Sequence, residues 1–125
     1  MDTAVKFFSC GECKSVLVGL PGVFPGAGEG VKPLLANVTD AATEKHVPVV
    51  TVEGSKVSVV VGSVEHPMTE EHLINWIMLV TDKEIRCKGL KSTDKPVAEF
   101  ILADDEKPLE VYEMCNLHGL WKKEL

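Results

Sequence analysis

Residues 47–61 read Val47-Pro48-Val49-Val50-Thr51-Val52-Glu53-Gly54-Ser55-Lys56-Val57-Ser58-Val59-Val60-Val61. β-Branched side chains fill both halves, and Gly54-Ser55 interrupts them as a hairpin break would. Downstream, Leu73 to Thr81 (LINWIMLVT) is a longer apolar run, as expected of a strand buried on both faces. Glu84 to Leu90, Val97 to Leu102 and Leu109 to Met114 complete the set. Turn signals separate them at Thr81-Asp82-Lys83, Thr93-Asp94-Lys95-Pro96 and Ala103 to Pro108. Beyond residue 36 no segment sustains a helical period, and Asp40 to Lys45 offers one turn or two. Short strands at a spacing of roughly ten residues predict an all-β fold, an antiparallel sandwich or barrel. Lys122-Lys123-Glu124-Leu125 reads as a solvated tail.

Towards the N-terminus the character changes. Residues 19–33 (GLPGVFPGAGEGVKP) hold five Gly and three Pro, which reads as a loop or linker. Residues 1–18 are short and mixed, and carry Cys10-Gly11-Glu12-Cys13. The organisation expected is an irregular segment and linker over residues 1–36 and a β domain over 37–125.

A length of 125 residues suits one ordinary domain with a small appendage. Hydrophobic residues at 45% and charged residues at 26% fit a globular core. The net charge of −6 argues against a nucleic-acid-binding surface. No apolar run reaches the ~18–20 residues that span a bilayer, so no membrane is expected. Residues 1–13 lack a secretory pattern, and the expected setting is cytoplasmic. Thiols there stay reduced, so cysteines read as metal-binding or redox-active.

The chain has four histidines, His46, His66, His72 and His118, and four cysteines, Cys10, Cys13, Cys87 and Cys115. All four histidines fall at strand ends or in connections, where functional residues concentrate. His46 opens the first strong strand. His66 and His72 bracket the loop before the long one. Cys115-Asn116-Leu117-His118 is a compact chelating spacing, since a thiolate and an imidazole three residues apart can reach one ion. Alone, such spacings are common without a metal.

Three strings sharpen this. They are Glu44-Lys45-His46-Val47-Pro48-Val49, then Gly62-Ser63-Val64-Glu65-His66-Pro67-Met68 with Glu71-His72 and Trp76, then Glu113-Met114-Cys115-Asn116-Leu117-His118-Gly119-Leu120-Trp121. In order and spacing, over residues 37–125, they resemble the superoxide reductase family, the neelaredoxins and the two-iron desulfoferrodoxins. The resemblance implies an immunoglobulin-like antiparallel β-sandwich with a mononuclear non-haem iron where loops converge at one end. His46, His66, His72 and His118 would be its equatorial ligands and Cys115 the axial one.

Such a ligand set makes physical sense. Neutral imidazoles leave the charge of Fe(II) in place, and an axial thiolate donates electron density, as in thiolate-ligated haem. A structural zinc site would be four-coordinate and closed. The implied reaction is one-electron reduction of superoxide to hydrogen peroxide. The partners implied are superoxide, a rubredoxin-like electron donor and further copies of the chain, in a dimer or tetramer. By the same resemblance Glu44 can occupy the sixth position of resting ferric iron. Lys45 supplies positive charge beside the vacancy, against the global field of an acidic protein.

The N-terminal segment departs from the two-iron pattern. Cys10 and Cys13 match the first half of a four-thiolate site, and the adjacent Cys-Cys pair that would complete it is absent. One chain therefore does not supply a second, rubredoxin-like iron. A residual dithiol, a site shared across a dimer and a reversible redox pair all remain open for Cys10 and Cys13. Cys87 reads as a buried core thiol.

Other readings of the same residues are a mononuclear metal electron-transfer protein and a metal-stabilised sandwich module without catalysis. A blue-copper site would use two His, one Cys and an axial Met, whereas four His are at hand and Met114 should face away from Cys115. A facial-triad oxygenase would lack the thiolate.

Overall fold

The computed structural model describes residues 5–11, 15–20 and 30–125. The chain divides into two compact units, Met1–Leu35 and Ala36–Leu125.

In the first unit, β1 (Lys6–Cys10), β2 (Val16–Gly19) and β3 (Val31–Leu34) form a three-stranded antiparallel sheet with β1 in the middle. The segment is thus more regular than its composition predicts. Pro33 sits in β3, opposite Phe8. An edge strand tolerates a proline because one flank needs no ladder donor. Residues 21–29 of the Gly/Pro stretch lie outside the described residues.

The second unit holds one helical turn, α1 (Thr43–His46), and seven strands. These are β4 (Pro48–Glu53), β5 (Lys56–Val61), β6 (Ile74–Thr81), β7 (Ile85–Gly89), β8 (Val97–Ile101), β9 (Pro108–Cys115) and β10 (Gly119–Glu124). They make two antiparallel sheets, ordered β4-β5-β8 and β10-β9-β6-β7. Alternation explains the core. Val57, Val59 and Val61 of β5 and Ala98 and Phe100 of β8 join Ile77 and Leu79 of β6 and Val111 of β9 in one buried cluster.

Three expectations need correction. His46 does not open a strand; it ends α1, because the following Val47-Pro48 forces extended backbone and stops the turn. The C-terminal residues are not a free tail, for β10 pairs with β9 through Glu124. Buried Leu120 and Trp121 hold it, and Lys122 reaches over the Tyr112 ring at 5.9 Å, with its ammonium 3.4 Å from Glu110. Cys87 is exposed rather than core, since β7 is an edge strand. Partial shielding still pushes its thiol upward from the ordinary value.

Candidate metal centre

Three separate pieces of chain bring the histidines together. His46 ends α1, His66 and His72 flank the β5–β6 connection, and His118 sits in the turn between β9 and β10. The rings of His46 and His66, His66 and His72, His72 and His118, and His118 and His46 lie 4.8, 4.5, 5.1 and 4.9 Å apart. The pair across the figure, His46 and His72, is 6.5 Å apart. The four rings therefore close a four-sided figure.

Hydrogen bonds fix which nitrogens face inward. His46 Nδ1 lies 2.7 Å from the Ala42 carbonyl and His66 Nδ1 lies 2.7 Å from that of Pro67. A carbonyl only accepts, so each Nδ1 carries its proton and each Nε2 presents a lone pair. His46 Nε2 is 3.2 Å from His118 Nδ1. Cys115 Sγ is 3.5 Å from His66 Nε2 and 3.8 Å from His118 Nδ1. One ligand atom each from His46, His66, His72 and Cys115 lies within 4.8 Å of the others. His72 Nε2 is buried with no hydrogen-bond partner among the described residues. Ligand atoms gathered this closely, with one buried nitrogen unpartnered among the described residues, are an arrangement a cation satisfies and an apolar core does not. Imidazole plus thiolate suits iron among other late transition ions.

Burial tunes these groups in the metal-free chain. It lowers His46 and His72 below the usual imidazole value, and brings His66 down to about 4. The imidazoles are thus neutral donors. Burial raises the Cys115 thiol, opposed by the backbone N–H groups of Leu117 and His118.

Glu44 and Lys45 are exposed, while Cys115 is fully buried. Lys45 lies close enough to depress the protonation of both His46 and His72, and Glu44 acts on His46 in the opposite sense. Their turn is held tightly. The Glu44 carbonyl accepts from Val64 N–H at 2.9 Å and from the Ser63 hydroxyl at 3.2 Å. A Cβ on Gly62 would stand 2.7 Å from that same carbonyl oxygen, so only glycine lets the turn approach.

Sequence reasoning missed several supports. Trp121 stacks on His46 with ring centroids 4.9 Å apart, and its indole N–H donates to the His118 carbonyl at 3.1 Å. The Ala42 and Pro67 carbonyls leave no side-chain signal to find. Glu113 is fully buried with both carboxylate oxygens unpartnered among the described residues, and burial pushes it up to about 9. Met114 alternates with Cys115 along β9 and takes the other face, as expected. Cys10 ends β1 and is disulfide-bonded, while Cys13 lies outside the described residues.

Known proteins carry the same pattern. The desulfoferrodoxin family model matches residues 38–124. A desulfoferrodoxin homolog from Archaeoglobus fulgidus is 42% identical over 117 residues, covering 94% of this chain and 92% of its own. The crystal structure of the superoxide reductase from Treponema pallidum is similar at 41% identity and a TM-score of 0.81, over 97% of this chain and 99% of that one. A one-iron superoxide reductase from Giardia intestinalis is 36% identical with a TM-score of 0.56, over 66% of this chain and 99% of its own.

Proposed function

The chain belongs to the desulfoferrodoxin family, and from that premise we propose how its residues carry out superoxide reduction. It is a superoxide reductase, converting superoxide, one electron and two protons to hydrogen peroxide. Iron held in the centre would supply that electron, and a redox donor would return it.

His46, His66, His72 and His118 hold the ion with neutral nitrogens, and Cys115 adds a thiolate from the buried side. The observation that carries this reading is the closed figure of four rings with the Cys115 sulfur 3.5 Å from His66 Nε2. The carbonyls of Ala42 and Pro67 lock two of the tautomers, so those rings meet the metal without rearrangement. Lys45 attracts the anionic substrate from the exposed side and orders a proton-donating water. Glu44, its neighbour on the exposed side, would offer a carboxylate to the oxidised ion.

Residues 37–125 form the catalytic domain, a reading supported by the compact unit Ala36–Leu125. Residues 1–36 are an accessory segment without an iron of their own. The donor is a small rubredoxin-like carrier. The working form is a homo-oligomer of two or four chains in the cytoplasm; among the described residues no helix is long and apolar enough to cross a membrane.

Pulse radiolysis of the reduced, iron-loaded protein with superoxide tests the reading. A fast second-order reaction with oxidation of the iron is expected. No such reaction in fully loaded protein defeats it.

A further inference from the structure

His72 differs from two of its fellow histidines in how it is held. Carbonyls fix the rings of His46 and His66 through Nδ1. Among the described residues none does this for His72. Its backbone is pinned instead. Thr69 takes both of its main-chain groups: His72 N–H donates to Thr69 Oγ1 at 3.0 Å, and the His72 carbonyl accepts from Thr69 N–H at 2.9 Å and from Thr69 Oγ1 at 3.2 Å. Asn116 takes the residues on either side. Its Nδ2 donates to the Glu71 carbonyl at 2.9 Å, and its Oδ1 accepts from Leu73 N–H at 3.0 Å. Its own N–H donates to the Leu73 carbonyl at 3.2 Å.

We infer that Asn116 is a positioning residue for the metal centre, aiming His72 by clamping the backbone on both sides of it to the Cys115–His118 turn. The chemistry demands an amide. Asparagine offers one donor and one acceptor on a short stem, and the clamp uses both. A carboxylate in its place would keep the acceptor for Leu73 and turn an oxygen against the Glu71 carbonyl. The position also joins two ligand-bearing loops that are 43 residues apart in sequence. Outer contacts of this kind matter because a ligand ring that can swing binds its ion less firmly.

The inference rests on His72 being a ligand, and the experiment separates the two claims. Iron release from the loaded protein to a chelator, with the ferric visible spectrum, is measured for the parent, Asn116→Ala, His72→Ala and the double variant. Asn116→Ala should release iron about 10–100-fold more readily. The double variant should be no worse than His72→Ala alone, since the clamp acts through that ring. Additive losses, or release from Asn116→Ala within twofold of the parent, overturn the inference. An unchanged His72→Ala overturns the ligand reading beneath it. Asn116→Asp, expected to fall between the parent and Asn116→Ala, carries the same cycle should the alanine variant not fold. Release from it equal to the parent's counts against the clamp.

Discussion

Two buried polar clusters of the second unit differ in how they are satisfied. Around Glu106, whose side chain is 1% exposed, every inward group has a partner. Thr81 Oγ1 donates to one carboxylate oxygen at 2.6 Å, and Arg86 and the Ala103 N–H reach the other. Around His72 and Cys115, ligand atoms crowd together and one nitrogen has no partner among the described residues. The first cluster is a finished joint that ties β6, β7 and the β8–β9 connection. The second is complete only with a cation. Here the closed hydrogen-bond inventory marks a structural joint, and the open one, with its gathered ligand atoms, marks the place where an ion belongs.

The largest effect that would sharpen this contrast is loss of the ion. His66→Ala or Cys115→Ser should lower iron content well below one per chain and remove fast superoxide reduction, as read by elemental analysis and pulse radiolysis. A variant that keeps its iron and its spectrum would break the comparison. Glu106→Ala should do the reverse. It should cost about 2–3 kcal/mol of unfolding free energy, the low end for a buried pair because Arg86 is 25% exposed. Its ferric spectrum should match the parent's, and urea denaturation read beside the spectrum checks both.

A smaller effect separates binding the metal from serving it. Lys45→Ala should keep its iron, lose roughly 3–10-fold in second-order rate at low salt, and show a flatter salt dependence. An unchanged rate at low ionic strength would remove Lys45 from substrate attraction. Glu44→Ala should leave that first step intact and move the ferric absorption band; an identical band and pH dependence would exclude Glu44 as a ligand.

Acid should distinguish the clusters last and most gently. In iron-free protein burial holds His66 near 4 against an ordinary 6.5. The unfolded chain therefore binds the extra proton first, and stability falls as pH drops from 6.5 towards 4. The Glu106 carboxyl is lowered chiefly by the Thr81 hydrogen bond. Its contribution stands above the unfolded value of 4.5 and is lost only at lower pH. His66→Ala should weaken the upper window, which the lowered His46 and His72 share, and leave the lower one. Denaturant midpoints measured from pH 7 to pH 3 would show a single shared window if the reasoning fails.

Much of this was legible in the residues. The Val-rich strands around Gly54-Ser55 and the run from Leu73 carry their own period and burial, so the sheets could be read nearly to their ends. β10 escaped because Lys122 and Lys123 hide its alternation, although Leu120 and Trp121 fill the core. Cys87 misled because a thiol in a strand pattern does not reveal that the strand is an edge. All four histidines were legible because each stands in a recognisable string. Their supports were not, since backbone carbonyls and the reach of Asn116 across 45 residues to Glu71 depend on how the chain comes together.

The distance along the chain between neighbours in the centre has a kinetic consequence. His46 and His118 meet across 72 residues, and His66 and Cys115 across 49. Only Cys115 with His118, and His66 with His72, are local. Contacts that close such long loops are slow to form and depend on the sheets that bring the ends together. The full ligand set is therefore assembled only once the sandwich has closed, and an ion finds all of it together only in the folded chain.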